Sequence, residues 1–236
     1  MCIRDSVISG SKTFVIDGHS SKLLMVVART EGSIDDASGI TIFLVDPEDQ
    51  GVEITKTIMV DSRNAANIEF NNVSVSTDSI LGEENNGASL LELVLDRAQI
   101  AISAEMLGNA SQAFDLTLQY LKERKQFGAV IGTFQALQHR AAEMYSELEL
   151  TKSSIIAACN AVDDNSNDLR RMASLAKFKS GETNHLITNE AVQMHGGVGV
   201  TDEYDVGLFM KRARVTEQIF GNSEYHIDRY ATLSDY

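Results

Sequence analysis

Tyr120-Leu121-Lys122-Glu123-Arg124-Lys125-Gln126-Phe127-Gly128-Ala129-Val130-Ile131-Gly132-Thr133-Phe134-Gln135 separates two long helical patterns. Upstream of it, Leu90, Leu91, Val94, Leu95, Ala98, Ile102, Met106 and Leu107 recur at three- and four-residue spacings. That spacing sets them on one face of a helix running from about Gly87 to about Leu121. Downstream, Leu137, Ala141, Met144, Leu148, Ile155 and Ala158 give a second inward face over residues 134–162. The polar run from Asp163 to Asp168 predicts a loop, with Asn167 or Asp168 placed to cap a third helix ending near Met194. A fourth helix is expected over residues 202–220, and a short one after Asn222. Long helices on short connections predict an antiparallel four-helix bundle.

Before Gly87 the period changes. Short β-rich runs at residues 12–16, 23–28, 40–45, 52–55, 67–70 and 73–75 are divided by Asp17-Gly18, Glu31-Gly32, Pro47, Gln50-Gly51 and Asn71-Asn72. Such strands with turn residues between them predict a small antiparallel sheet domain. The expected class is therefore α+β: a small antiparallel β-domain over residues 1–86, then the helical bundle over residues 87–236.

The 236 residues carry 20 Lys and Arg against 34 Asp and Glu, a net charge of −14, which argues against a nucleic-acid partner. The one basic cluster, Lys211-Arg212-Ala213-Arg214, is short. Cys2 and Cys159 cannot build a disulfide framework, and no metal-ligand spacing occurs. No apolar run reaches the roughly 18–20 residues that span a bilayer, and the first residues lack a signal-peptide core. A reducing compartment is expected, the bacterial cytoplasm or a mitochondrial matrix-like space.

Three stretches carry chemistry-bearing residues. In the first, Arg124 offers a fork of donors suited to phosphate and Phe127 a flat face, although an ordinary turn between helices also uses glycines. In the second, Gln193-Met194-His195-Gly196-Gly197-Val198-Gly199, the glycines allow close backbone approach to a ligand, or simply end a helix. In the third, Phe220-Gly221-Asn222-Ser223-Glu224-Tyr225-His226, Ser223 either caps the last helix or touches a phosphate, and His226 has no partner in triad order.

With Gly10-Ser11-Lys12-Thr13-Phe14 and Ile80-Leu81-Gly82 ahead of them, these three stretches in this order resemble the acyl-CoA dehydrogenase family from about Val7 to Tyr236. The resemblance implies that the chain starts within the middle β-domain, with an N-terminal helical domain and a flavin loop lying before Val7. It implies FAD as cofactor and an acyl-CoA thioester as substrate. It also implies like or related subunits in a dimer or tetramer, and electron transfer flavoprotein as acceptor. Arg124, Phe127 and Gln135 would meet the ADP half of FAD, with Gln193, Gly196 and Gly197 lining the same FAD across a subunit interface. Ser223 would approach the phosphates. Phe14 stands where the family often has tryptophan near the flavin ring, and Ile16 where a threonine often meets the flavin N5 edge. Asp96 would contact the pantetheine arm of CoA, or simply be solvated.

The family reaction needs a carboxylate to remove the α-proton. The usual glutamate sits in an aromatic-Glu-Gly-Thr segment, here matched to Phe220-Gly221-Asn222-Ser223, which puts Gly221 at the base position. The alternative helical location matches Ala98. Neither is a carboxylate. Glu105, about 13 Å along the helix from Asp96, and Glu224 are substitutes that a solvated face would explain as well. Two readings follow: an acyl-CoA dehydrogenase with an unorthodox base, or a non-catalytic subunit that shares FAD with a catalytic partner. Without the preceding domain the chain is expected to retain flavin poorly.

Overall fold

The computed structural model describes residues 6–36 and 38–236, so Cys2 lies outside the described residues. The chain divides into two compact units, Met1–Val94 and Leu95–Tyr236.

The first unit holds strands β1 (Ser6–Ile16), β2 (Leu24–Arg29), β3 (Ile40–Val45), β4 (Val52–Ile58), β5 (Asn64–Val75) and β6 (Ile80–Leu81). The strands form two antiparallel three-stranded sheets, ordered β1-β5-β4 and β2-β3-β6, where the sequence suggested one. Alternate residues of both sheets supply one core, including Ile8, Val26, Phe43, Val45, Ile68, Phe70 and Val73. The two runs expected at residues 67–70 and 73–75 are parts of the single strand β5. Asn71-Asn72 makes a bulge there instead of a turn: Ile8 pairs with Val73 and Gly10 with Phe70, so Ser9 faces two residues. Asn72 takes a positive φ of 54°, and its N–H donates to Ser9 Oγ at 3.2 Å. That side-chain bond replaces the ladder bond lost at the bulge.

Helix α1 (Gly87–Glu123) begins in the first unit and supplies the first long helix of the second. A two-residue hairpin, β7 (Lys125–Gln126) and β8 (Ala129–Val130), leads to α2 (Gln135–Asp163), α3 (Leu169–His195), α4 (Val206–Gln218) and α5 (Ser223–Thr232). One core joins Tyr120 and Leu121 at the end of α1, Leu137 near the start of α2, Met194 at the end of α3 and Val206 at the start of α4. Ends and starts therefore alternate, which is the antiparallel bundle. A second cluster of Ile100, Ile155, Ala158, Ala173 and Ala176 fills the opposite end. Val94, expected inward, is exposed. Residues 202–205, expected as helix, are turns, and α4 starts at Val206. Asp168 stands at the α3 N-cap position without a capping side-chain bond, and pairs instead with Arg171 at 3.0 Å.

Candidate functional site

The hairpin between α1 and α2 is shaped by two successive positive φ angles, 54° at Phe127 and 79° at Gly128. Two-residue loops of this hand match the twist of the strands they join. Glycine adopts it freely; a phenylalanine does so against steric resistance. The result is a ring 91% exposed at the hairpin tip, set edge-on to Phe134 at 6.4 Å between centroids. At Gly132 a Cβ would lie 2.7 Å from the Leu121 carbonyl oxygen, so only glycine lets this segment close onto the end of α1.

Helix α3 ends at His195, and Gly196 leaves it at a φ of 65° into a short 3-10 turn over Gly196–Val200. A Cβ at Gly199 would sit 2.6 Å from the Val192 carbonyl oxygen, which makes that glycine a packing requirement. At Gly196 and Gly197 a Cβ would meet nothing within 4 Å. Their backbones face open space. His195 is 3% exposed, its ring stacked on Tyr120 at 4.3 Å and tilted against Tyr204 at 5.1 Å. Its Nδ1 bonds the Ala191 carbonyl at 2.7 Å, and the Tyr120 hydroxyl donates to the His195 carbonyl at 3.2 Å. Burial lowers the pKa of His195 from the ordinary histidine value, opposed by its bond to Ala191, and so favours the neutral ring.

These two segments meet in a groove of about 470 Å³, lined by Arg124, Phe127, Gln193, Gly196 and Gly197 with Tyr120 and His195 beside them. Gln135, the first residue of α2, is exposed and does not line the groove. His195 was legible in the Gln-x-His-Gly-Gly run but carried no sign of a role there, because nothing in a linear motif shows that a ring nitrogen is left without a partner. A positively charged fork, an exposed flat ring and open glycine backbone in one groove suit a phosphate attached to a planar heterocycle.

In the first unit, a second bulge in β1 sets Thr13 and Phe14 opposite Asn67, between the pairs Lys12–Ile68 and Val15–Ala66. Phe14 has a φ of 51°, its N–H donates to Asn67 Oδ1 at 3.1 Å, and its side chain is 61% exposed. Ile16, also exposed, lines a groove of about 580 Å³ beside β1 and β2.

The family model for the acyl-CoA dehydrogenase C-terminal domain matches residues 85–232. The chain belongs to the acyl-CoA dehydrogenase family. It is 32% identical over 228 residues to the short/branched chain specific acyl-CoA dehydrogenase of Bos taurus mitochondria, covering 95% of this chain and 52% of the relative. It thus spans about half the length of that enzyme. Among solved structures it is similar to the acyl-CoA dehydrogenase of Geobacillus kaustophilus, with a TM-score of 0.93 at 26% identity over 98% of this chain and 62% of the other. A chain of the Tcur3481-Tcur3483 steroid ACAD gives a TM-score of 0.85 at 30% identity, covering 98% and 60%.

Within this member of the family, the turn between α4 and α5 is held by buried side chains. Lys177 of α3 donates from Nζ to the Gly221 carbonyl at 2.8 Å and the Glu217 carbonyl at 3.0 Å. Desolvation lowers its pKa to about 8, partly opposed by Glu217. His226, wholly buried, bonds the Phe220 carbonyl through Nε2 at 2.9 Å, and burial lowers its pKa to about 4. Phe220 and Gly221 both have positive φ, 60° and 102°. A Cβ at Gly221 would lie 2.4 Å from the Tyr225 ring and 2.9 Å from His226 Nε2, so the turn has no room there for a larger residue. The cap of α5 is Asn222, whose Oδ1 accepts from the Tyr225 N–H at 3.0 Å. Ser223, expected to cap or to reach a phosphate, turns its hydroxyl inward, where a Cβ at Gly181 would stand 2.7 Å away.

Asp96 is 1% exposed and receives the Arg229 guanidinium at 2.6 Å, with Arg170 at 3.8 Å. Arg229 also donates to Gln99 Oε1 at 3.1 Å and Ser174 Oγ at 3.0 Å. The solvated face expected as one reading of Asp96 gives way to an ion pair with a buried carboxylate joining α1, α3 and α5. Ala98 is half-buried on α1. Glu105 is paired with Arg212 at 2.6 Å, and Glu224 is exposed in the first turn of α5.

Proposed function

We propose that the full-length protein works within an FAD-dependent acyl-CoA dehydrogenase, in which the groove between the β7–β8 hairpin and the Gly196–Val200 turn holds the ADP half of FAD. The convergence of Arg124, Phe127, Gly196 and Gly197 in that groove carries this reading. Arg124 would bind a phosphate, Phe127 would cover a flat ring, and the two glycines would let the pyrophosphate approach the backbone. Bound FAD would supply the hydride acceptor for α,β-dehydrogenation of an acyl-CoA thioester. Electron transfer flavoprotein is the acceptor that this reading implies. Full-length Arg124→Ala is expected to bind FAD about 10–100-fold more weakly, as follows from losing a charge-assisted hydrogen bond. Unchanged flavin content after extensive dialysis would count against the groove as its site.

A second reading, a subunit that lends its groove without supplying the base, is favoured by the α4–α5 turn. Gly221, at a glycine-type φ, and Asn222, the helix cap, fit the Gly-Thr of the aromatic-Glu-Gly-Thr motif better than they fit its Glu-Gly. In that register the base position passes from Gly221 to Phe220, which is again not a carboxylate. Asp96 and Glu105 are engaged by arginines. Flavin bleaching by acyl-CoA, measured on the full-length protein alone and with its co-purified partners, separates the readings. Bleaching by the isolated protein supports a relocated base; bleaching only in the mixed complex supports the lending subunit.

A further inference from the structure

We propose that the outer face of α2 is a self-complementary interface, on which α2 of a second copy of this chain lies antiparallel across a two-fold axis. Along α2, Ala142, Tyr145, Glu149, Lys152, Ile156 and Cys159 follow one another in alternating three- and four-residue steps. That is the 3.5-residue period of a helix–helix seam, and it runs beside the buried row of Met144, Leu148, Ile155 and Ala158. All six are exposed, Tyr145 by 56% and Ile156 by 51%. Neither Glu149 nor Lys152 has a side-chain partner among the described residues, whereas nearby Glu147 is held by Lys179 of α3. The steps are the same read from either end. With the axis passing between Leu150 and Thr151, Tyr145 of one copy meets Ile156 of the other, Glu149 meets Lys152, and Ala142 meets Cys159. Each contact occurs twice, and the charged pair is opposite in sign both times. A parallel pairing would set Glu149 against Glu149 and Lys152 against Lys152, which like-charge repulsion opposes. Beside the stripe, a groove of about 480 Å³ runs between α1 and α2, walled on the α1 side by Ala104, Gly108, Ser111 and Phe114. At Gly108 a Cβ would meet nothing within 4 Å, so a neighbouring side chain can lie directly on the backbone. Tyr145 lines the same groove, its ring 6.4 Å from that of Phe114, and Ile156 of the second copy would cover this apolar wall. The groove shares no lining residue with the one at Arg124, so the interface stands independently of the nucleotide reading.

Ala142→Cys places a thiol opposite Cys159 of the second copy. Oxidation of the full-length variant is expected to give a covalent dimer, with peptide mapping showing the bond between the introduced thiol and Cys159. The wild type should not form one through Cys159. In this register its two copies of that residue are 17 positions apart along the helix, about 25 Å at the helical rise. By sedimentation, Glu149→Lys is expected to weaken association through this face at least about tenfold, and Glu149→Lys combined with Lys152→Glu to restore it. Both positions are exposed, and circular dichroism like that of the wild type checks that the variants fold. A wild type that stays monomeric at all concentrations would overturn the proposal, as would a charge reversal that leaves association unchanged. So would a double exchange as weak as the single one, or a cross-link from the introduced thiol to any chain other than a second copy.

Discussion

Lys177, His226 and Asp96 are charged or titratable residues buried in the interior, and each is accommodated differently. Lys177 and His226 both have pKa values below their ordinary ones, about 8 and about 4, because burial disfavours the protonated form. A proton that binds the unfolded chain more tightly than the native one destabilises the fold. Stability should therefore fall as the pH drops from about 6.5 to about 4 through His226, and rise between about pH 8 and 10.5 through Lys177. For His226 the gap corresponds to roughly 3 kcal/mol. Replacing it by phenylalanine is expected to flatten that part of the acid limb, which urea midpoints at pH 4.5 and 6.5 for both proteins would show. Asp96 is paired with Arg229, and Asp96→Ala leaves a largely buried guanidinium with Gln99 and Ser174 only. The expected loss is about 3–5 kcal/mol in urea unfolding. A loss under about 1 kcal/mol would mean that the pair is dispensable. None of these three roles was visible in the sequence, since Asp96 and Arg229 are 133 residues apart and only packing of α1 against α5 joins them.

At the scale of elements, the caps of the helices separate sequence preference from actual bonding. Asp168 and Asn222 are both good capping residue types, yet only Asn222 accepts from its helix. Asn222→Ala is expected to cost about 1 kcal/mol, and Asp168→Ala to stay within about 0.5 kcal/mol, by thermal or urea unfolding of the two variants. Equal losses would contradict this difference. Helix positions followed from apolar period: the expected second helix over residues 134–162 is Gln135–Asp163, with Met144, Leu148, Ile155 and Ala158 buried as that period requires. The period failed at Val94, which is exposed within α1, and over residues 202–205, which precede α4. In the sheets, Asn71-Asn72 looked like a hairpin turn because turns and bulges use the same residues. The pairing of Ser9 against both decides between them.

For the whole molecule, amino-acid order alone determined the α+β class, the strands-then-helices sequence of elements and the family, because local periodicity and short glycine-bearing motifs are properties of neighbours along the chain. It also marked Arg124, Phe127, Gly196 and Gly197 as ligand-facing candidates, since glycine and arginine there serve needs that a core position does not have. Tertiary structure alone decided that those segments share one groove, that Gln135 and the Ser223 hydroxyl stand apart from it, and that His195 Nε2 is buried without a hydrogen-bond partner among the described residues. It also decided that Asp96 is an internal counter-ion. Those outcomes depend on which surfaces are desolvated against residues more than 40 positions distant, and desolvation is a property of packing that no local pattern contains.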